Sequence, residues 1–300
     1  MGKEIFRDIE KTHKNTANVI LTGIAFDENT SIGKGASFAP LHLRNLSKDI
    51  PGVTKDAKLL TNVKLFDNGD YARHEDENIE QFFSRVQKET KSLYSHDQFN
   101  IFIGGDHSVN IPLVASFIAY AKAVGKIPVY IHLDAHPDLM DEYLGNKLSH
   151  ATPVRRHLDA GLKSENLALI GLRGFEKEEV EFFLEHPEVQ VYSATTVKTR
   201  GIKEIVEEIK KRYSHDMYVI YFSYDIDAND PSFAPGTGTP EAFGMTSDET
   251  LYLALEICSL SNTIAMDIVE ISPPLDLNDI TSWLGLKTIY EIIYEKTRKK

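Results

Sequence analysis

Short apolar runs alternate with amphipathic segments along the chain, and this alternation predicts an α/β fold. Eight runs rich in Val, Ile, Leu, Phe and Tyr are typical of strands, and they begin near Val19, Val63, Ile101, Val129, Leu167, Val189, Tyr218 and Thr263. Apolar residues recur at helical spacing around residues 40–48, 77–95, 111–124, 150–160, 176–185, 201–213, 247–259 and 285–298. Because parallel neighbours require long crossovers, we expect a mainly parallel eight-stranded sheet with helices on both faces.

The pattern predicts a single domain over residues 1–300. No internal repeat, low-complexity tract or linker interrupts it, and the clusters of Pro and Gly follow strands rather than separating two halves. One loop, residues 229–243 (NDPSFAPGTGTPEAF), has too much Pro and Gly for regular structure. Loops of this length inside compact domains are usually functional.

Composition narrows the choice of partners. The 33 Lys and Arg against 45 Asp and Glu give a formal charge of −12, which argues against nucleic acid and favours a small cationic ligand. The longest nearly apolar stretch, residues 111–121, is far shorter than the roughly 20 residues that cross a bilayer, and the N-terminus has no signal-like apolar core. A single cysteine, Cys258, fits a reducing compartment. We therefore expect a cytoplasmic protein without a membrane span.

Polar residues with metal-binding chemistry follow three of the predicted strands. The third strand ends in GGDHS, the fourth in DAHPD and the seventh in SYDID. Ligands collect at the carboxyl ends of parallel strands, and residues at i and i+2 project from one face of a strand. The candidate ligands are His107, Asp134, His136, Asp138, Asp225 and Asp227.

Each motif alone has a simpler explanation, such as an Asx turn or a structural histidine. Together they would bury four aspartates, which is prohibitively costly without cations. Two divalent ions would bring a charge of about +4 against −4, and carboxylates with imidazoles suit Mn(II) better than a thiol-seeking metal. The set thus predicts a dinuclear manganese site, whereas a zinc amide deacetylase would need one metal and fewer ligands.

These motifs resemble those of the ureohydrolase family, which includes arginase, agmatinase, guanidinobutyrase and formimidoylglutamase. The resemblance runs from FDENTSIGKGASFAPLHLR at 26–44 through GGDHS, DAHPD and SYDIDANDPSFAPGTGTPE to DIVEISPP at 267–274. It implies a three-layer α/β/α sandwich and two Mn(II) ions held by the six residues named above, with Asp134 and Asp225 bridging. Similar enzymes are commonly trimers or hexamers, so a homo-oligomer is expected.

The resemblance also implies two residues that act on substrate. Glu270, in DIVEISPP, would orient the planar guanidinium through charge-assisted hydrogen bonds, and His150, in SHATPVRR, would protonate the departing amine. The simpler alternatives are a surface position for Glu270 and a helix cap for His150. His132, inside the fourth strand, is interpreted as a packing residue.

The segment after DAHPD favours agmatine as the substrate, with putrescine and urea as products. LMDEYLGNKLSHATP resembles agmatinases rather than arginases, and Asp141 and Glu142 would attract a cationic tail. Guanidinobutyrase, formimidoylglutamase and arginase activities remain alternatives, as does a metal-binding relative without turnover. Phe243 stands where relatives usually carry glycine, and its ring is expected to narrow the pocket.

Overall fold

One parallel sheet of nine strands organises the computed structural model, which describes residues 4–298. The strand order is β1-β3-β2-β4-β9-β8-β5-β6-β7, and every neighbouring pair is parallel. The strands are β1 (Glu10–Lys11), β2 (Val19–Ala25), β3 (Lys64–Ala72), β4 (Phe99–Ile103), β5 (Ile127–Leu133), β6 (Leu167–Leu172), β7 (Gln190–Ser193), β8 (Tyr218–Asp225) and β9 (Thr263–Val269). All eight predicted strands are present. The ninth, β1, was missed because two polar residues carry no periodicity.

Nine α-helices connect the strands in the described part of the chain. They are α1 (Ala39–Ser47), α2 (Ile79–Thr90), α3 (Asn110–Ala123), α4 (Pro153–Asp159), α5 (Lys177–Glu185), α6 (Ala194–Arg200), α7 (Ile202–Tyr213), α8 (Ser247–Cys258) and α9 (Ile280–Thr297). Each of them except α6 overlaps a predicted segment, although α9 begins five residues before the predicted start at 285. Helix α6 has seven residues and is too short for a clear helical period. Within residues 4–298, no helix has the length and apolarity needed to span a bilayer.

Two apolar layers separate the sheet from its helices, which confirms the three-layer α/β/α sandwich. Along β5, Val129, Ile131 and Leu133 enter one layer while Tyr130 enters the other, as expected when side chains alternate across a strand. Helices α7, α8 and α9 pack into the first layer, and α2 and α3 pack into the second. Because β4, β9, β8 and β5 are central, their carboxyl ends form the middle of one sheet edge.

An ion-pair cluster joins α1 to the β3 edge of the sheet. The Arg44 guanidinium is 8% exposed and lies 2.8 Å from Asp67 Oδ2 and 2.5 Å from Asp70 Oδ1. It also donates to the Pro40 carbonyl oxygen. Losing the guanidinium from such a site leaves two partly buried carboxylates without their cationic partner.

Arg44→Ala should lower the free energy of unfolding by about 3 kcal/mol, because it breaks a largely buried pair. Arg200→Ala is the matched control: Arg200 pairs with Glu204 on the exposed surface of α6 and α7 and should cost about 1 kcal/mol or less. Urea denaturation of both variants measures the difference. Equal losses would show that burial of the Arg44 pair does not matter.

Candidate active site

The four central strands each deliver site residues to the same edge of the sheet. His107 opens a 3₁₀ turn (His107–Val109) that follows β4, Asp134 directly follows β5, and Asp225 is the last residue of β8. Glu270 directly follows β9. A close backbone approach fixes the end of β4, since a Cβ on Gly105 would lie 1.6 Å from the Phe26 carbonyl oxygen. The first loop, residues 26–35, is thereby brought over the site.

One imidazole nitrogen faces three carboxylates in the first half of the site. His107 Nδ1 lies 2.9 Å from Asp134 Oδ2, 3.0 Å from Asp138 Oδ2 and 3.0 Å from Asp225 Oδ2. Within the described residues, His107 Nδ1, Asp134 Oδ2 and Asp138 Oδ2 are buried without a hydrogen-bond partner. Buried donor atoms that converge unpaired fit a cation held between them.

A second imidazole group adjoins the first through a shared carboxylate. His136 Nδ1 lies 3.1 Å from Asp227 Oδ2 and 3.5 Å from Asp134 Oδ1. Asp134 thus presents Oδ2 to the His107 group and Oδ1 to the His136 group. The structure brings all six sequence-predicted residues together, and their donor set fits a pair of divalent ions.

Burial and the charges of neighbouring side chains shift the pKa values of this cluster. Burial, together with the charges of Asp227 and Asp134, raises the pKa of Asp225 well above its ordinary value. Burial opposes a charge on His107, but Asp138 and its neighbouring carboxylates outweigh it and raise the pKa of that imidazole. The carboxylates therefore require positive charge in their midst, as protons or as metal ions.

His132 does more than pack in the core. Its Nε2 lies 3.0 Å from the His136 carbonyl oxygen and 3.1 Å from Asp134 Oδ2. A carbonyl can only accept, so this nitrogen carries the proton and donates. His132 therefore orients the backbone of His136, and its Nε2 is no metal ligand. The sequence interpretation missed this because the residue lies in the body of β5.

Glu270 and His150 form a buried pair beside the ligand cluster. Glu270 is 2% exposed, which rules out the surface alternative, and its Oε1 accepts from the His107 backbone NH at 2.8 Å. His150 Nδ1 lies 3.3 Å from the same Oε1, and His150 Nε2 lies 2.8 Å from Ser31 Oγ. Burial disfavours the imidazolium, but the hydrogen bond and charge of Glu270 prevail and raise the pKa of His150 to about 9.

Two of these residues sit in unusual backbone conformations. Asp138 has a φ of 53° and Glu270 a φ of 60°, in the left-handed region that side chains other than glycine rarely adopt. Such conformations cost of order 1–3 kcal/mol and persist where the surroundings impose them. Here they aim one carboxylate at His107 and the other at the cavity.

A cavity of about 410 Å³ opens onto the cluster. Five of the six predicted ligands line it, together with Glu270, His150 and three further carboxylates: Glu176, Glu179 and Glu241. No Lys or Arg is among the described residues that line it. Sequence reasoning missed Glu176 and Glu241, although both belong to segments that follow strands (β6 and β8), the same signal that located the ligands.

Asp141 and Glu142 do not contribute to this cavity. Neither residue lines it, and the Asp141 carboxylate binds Arg156 at 2.6 Å and Lys147 at 3.0 Å. Those hydrogen bonds, that of Arg156 first, lower the pKa of Asp141 to about 2. The expected attraction of Asp141 for a cationic tail is therefore already satisfied by two cations on the chain itself.

Fold and site together define a class: an α/β/α enzyme with a carboxylate and imidazole cluster at the carboxyl ends of its parallel strands. The sequence model of the arginase family matches residues 17–294. An agmatinase from Bacillus cereus is 32% identical over 92% of this chain and 91% of its own length. The human mitochondrial guanidino acid hydrolase is 30% identical over 90% of this chain and 76% of its own.

A solved structure shows the same fold. The agmatine ureohydrolase of Thermoplasma volcanium superimposes with a TM-score of 0.84 at 29% identity, over 98% of this chain and 94% of that one. The chain belongs to the arginase family and is a hydrolase of that family.

Phe243 does not narrow the cavity. Its ring is 80% exposed and is absent from the lining, while its backbone has a φ of 65°. The residue thus occupies a conformation that glycine adopts more easily, without a packing contribution that would offset the strain.

Phe243→Gly should raise the free energy of unfolding by about 0.5–1 kcal/mol, because it relieves a left-handed backbone at a solvent-exposed position. Val180, 45% exposed within α5, is the control, since glycine there should destabilise. Thermal denaturation and steady-state kinetics measure the effect. A changed KM in the Phe243 variant would show that the ring does reach the substrate.

Proposed function

We propose that the protein is a manganese-dependent hydrolase that converts agmatine and water to putrescine and urea. The observation that carries the proposal is a cavity with a two-centre ligand cluster at its base and with Glu270 and His150 beside that cluster. Among the other described residues that line the cavity, the charged side chains are all carboxylates. A guanidinium at one end and an ammonium at the other match this distribution of negative charge.

Two Mn(II) ions would be held by His107, Asp134, Asp138 and Asp225 on one side and by Asp134, His136, Asp225 and Asp227 on the other. Bound there, the pair would supply a Lewis acid and a water activated at neutral pH. Support comes from the converging donor atoms without hydrogen-bond partners and from the oxygen-rich donor set.

Glu270 would bind and orient the guanidinium. Its Oε1 already holds the His107 NH, so the carboxylate is fixed relative to the cluster before substrate arrives. The fixed geometry lowers the entropic cost of placing the guanidinium carbon next to the activated water.

His150 would return a proton to the departing amine. Its raised pKa keeps the imidazolium populated at neutral pH, and its Nδ1 lies 3.3 Å from the carboxylate that orients the guanidinium. The proton on Nδ1 therefore lies beside the position of the leaving nitrogen. Ser31 Oγ, at 2.8 Å from Nε2, holds the ring in this orientation.

The lining carboxylates would select the tail of the substrate. Glu241 is 44% exposed, with Oε1 3.7 Å from His136 Nε2, and Glu176 lies across the cavity at the start of α5. An ammonium tail would be attracted, whereas guanidinobutyrate, arginine and formimidoylglutamate each carry a carboxylate that lacks a lining cation. This favours agmatinase over the other activities of the family.

A metal-binding relative without turnover is the non-enzyme alternative. The burial of Glu270 and His150 in one hydrogen-bonded pair argues against it, since mere metal storage requires neither residue.

We further propose one domain, a cytoplasmic location and a homo-oligomer of three or six chains. The location is supported by the one cysteine, which is buried, and size-exclusion chromatography with light scattering tests the assembly.

Asp227→Asn should reduce bound manganese from two ions per chain to about one and lower kcat by at least about 10²-fold, since activation of water needs both ions. Elemental analysis and urea release measure the two quantities. Asp141→Asn, a carboxylate outside the cavity, is the control and should keep both ions. Full activity with one ion per chain would rule out the dinuclear proposal.

Agmatine should have a kcat/KM about 10²-fold or more above that of guanidinobutyrate, because the cavity attracts an ammonium and repels a carboxylate. The double variant Glu176→Gln with Glu241→Gln should narrow this ratio by about 10-fold or more, whereas Asp141→Asn should leave it unchanged. Urea release from agmatine, arginine and guanidinobutyrate measures the ratios, with formimidoylglutamate followed by release of its own product. Faster turnover of a carboxylate-tailed substrate would contradict the assignment.

A further inference from the structure

A buried polar cluster lies on the side of His107 that faces away from the proposed metals. Its members are Asp267 on β9, Ser223 and Tyr221 on β8, and Asn110 at the start of α3, and we call it the Asp267 cluster. All four side chains are inaccessible to solvent. Neither the proposed chemistry nor the sequence motifs give this cluster a role.

Asp267 accepts hydrogen bonds from every other member. Oδ1 accepts from Ser223 Oγ at 2.6 Å, and Oδ2 accepts from Tyr221 Oη at 2.8 Å and from Asn110 Nδ2. The orientation of the Asn110 amide is set independently, because its Oδ1 accepts from the Tyr130 hydroxyl at 3.1 Å. Burial raises the pKa of Asp267, whereas these three donors oppose that shift and favour the anion.

The direction of these bonds fixes the proton on His107. Ser223 has one hydroxyl hydrogen, and the 2.6 Å contact gives it to Asp267. The Ser223 oxygen, 3.0 Å from His107 Nε2, must then accept, so Nε2 carries the hydrogen. In a neutral imidazole, the lone pair then resides on Nδ1, the atom that faces Asp134, Asp138 and Asp225.

We propose that Asp267 is a positioning residue that acts through Ser223 to hold His107 in the Nε2–H tautomer and so sets the affinity of the metal site built on His107. The inference rests on the proposed metal centre but not on the choice of substrate. The arrangement explains a carboxylate that is wholly buried in the sheet. Among the interactions of the described residues, Asp267 has no Lys or Arg partner.

Asp267→Asn would break this arrangement of hydrogen bonds while keeping the shape of the side chain. The amide could donate to Ser223, whose hydroxyl would then donate to His107 Nε2 and leave the hydrogen on Nδ1, where it blocks a metal. Ser223→Ala would remove the connection altogether. Outer hydrogen bonds of this kind typically change metal affinity by about 10–100-fold.

The test is a titration of Mn(II) into the metal-free full-length protein and its variants. Asp267→Asn and Ser223→Ala should each weaken one of the two binding steps by about 10–100-fold and change the other by less than about 3-fold. Tyr221→Phe is the matched control: it removes a donor to Asp267 Oδ2 but leaves the Ser223 connection, and both steps should stay near those of the wild type.

The double variant separates positioning from a general structural role. If Asp267 acts only through Ser223, combining the two substitutions should weaken binding no further than Ser223→Ala alone, because the effects share one route. Cadmium-loaded, ¹⁵N-histidine-labelled protein supplies a readout independent of activity: the His107 Nε2–H signal should be retained in Tyr221→Phe and shifted in Asp267→Asn.

Additive losses, or equal weakening of both binding steps, would overturn the proposal, as would wild-type manganese affinity in a folded Asp267→Asn protein. Failure of the substrate assignment would look different. In that case the wild-type protein binds two ions and the variants show the same non-additive weakening, yet the wild-type protein releases no urea from agmatine.

Discussion

The structure depends on the electrostatic cost of placing several carboxylates around one imidazole in a buried site. Asp134, Asp138 and Asp225 all lie within about 3.0 Å of one imidazole nitrogen, and Asp227 adjoins them through His136. Coulomb repulsion at such distances is large in a medium that excludes water. A folded chain can keep this arrangement only if positive charge is supplied, and divalent cations supply the most charge in the least volume.

The parallel sheet makes that concentration possible. Four adjacent central strands, β4, β9, β8 and β5, point their carboxyl ends the same way, so residues far apart in sequence arrive at one edge without long connecting loops. The backbone beneath is rigid, because each strand is paired on both sides and packed between two apolar layers. Rigidity holds the donor atoms in place when repulsion would otherwise spread them.

Around this centre, the hydrogen bonds form successive shells with separate tasks. His132 holds the backbone of His136 and the Asp267 cluster holds the His107 ring. In the proposed function, Glu270 and His150 would face the reacting end of the substrate, and Glu176 and Glu241 line the rest of the cavity. Among the described residues that line the cavity, the charged side chains other than the imidazoles are carboxylates. In the proposed function, those at the base would hold the metal ions, and Glu176 and Glu241 would attract the ammonium tail of the substrate.

Local patterns along the chain were enough to predict the eight main strands, the helices with a clear period, and the six polar residues that cluster past the strand ends. These follow from local rules: the alternation of side chains along a strand, the period of a helix, and the spacing of polar residues just past strand ends. Glu270 and His150 came from motif resemblance, and the structure places both in the cavity.

The remaining features depend on contacts between segments that are distant along the chain, so local patterns could not predict them. Asp141 looked available in sequence, but Arg156 neutralises it in the fold. Glu176 and Glu241 lie 65 positions apart and line one cavity only because the loops after β6 and β8 fold over the same edge. In the sequence, Asp267 is a polar residue within a largely apolar strand. Its hydrogen-bond connection to His107 through Ser223 exists because β9 and β8 are neighbours. The alternation of side chains along a strand predicts which face of the sheet a residue occupies. The residue that it contacts there is set by the order of the strands in the sheet.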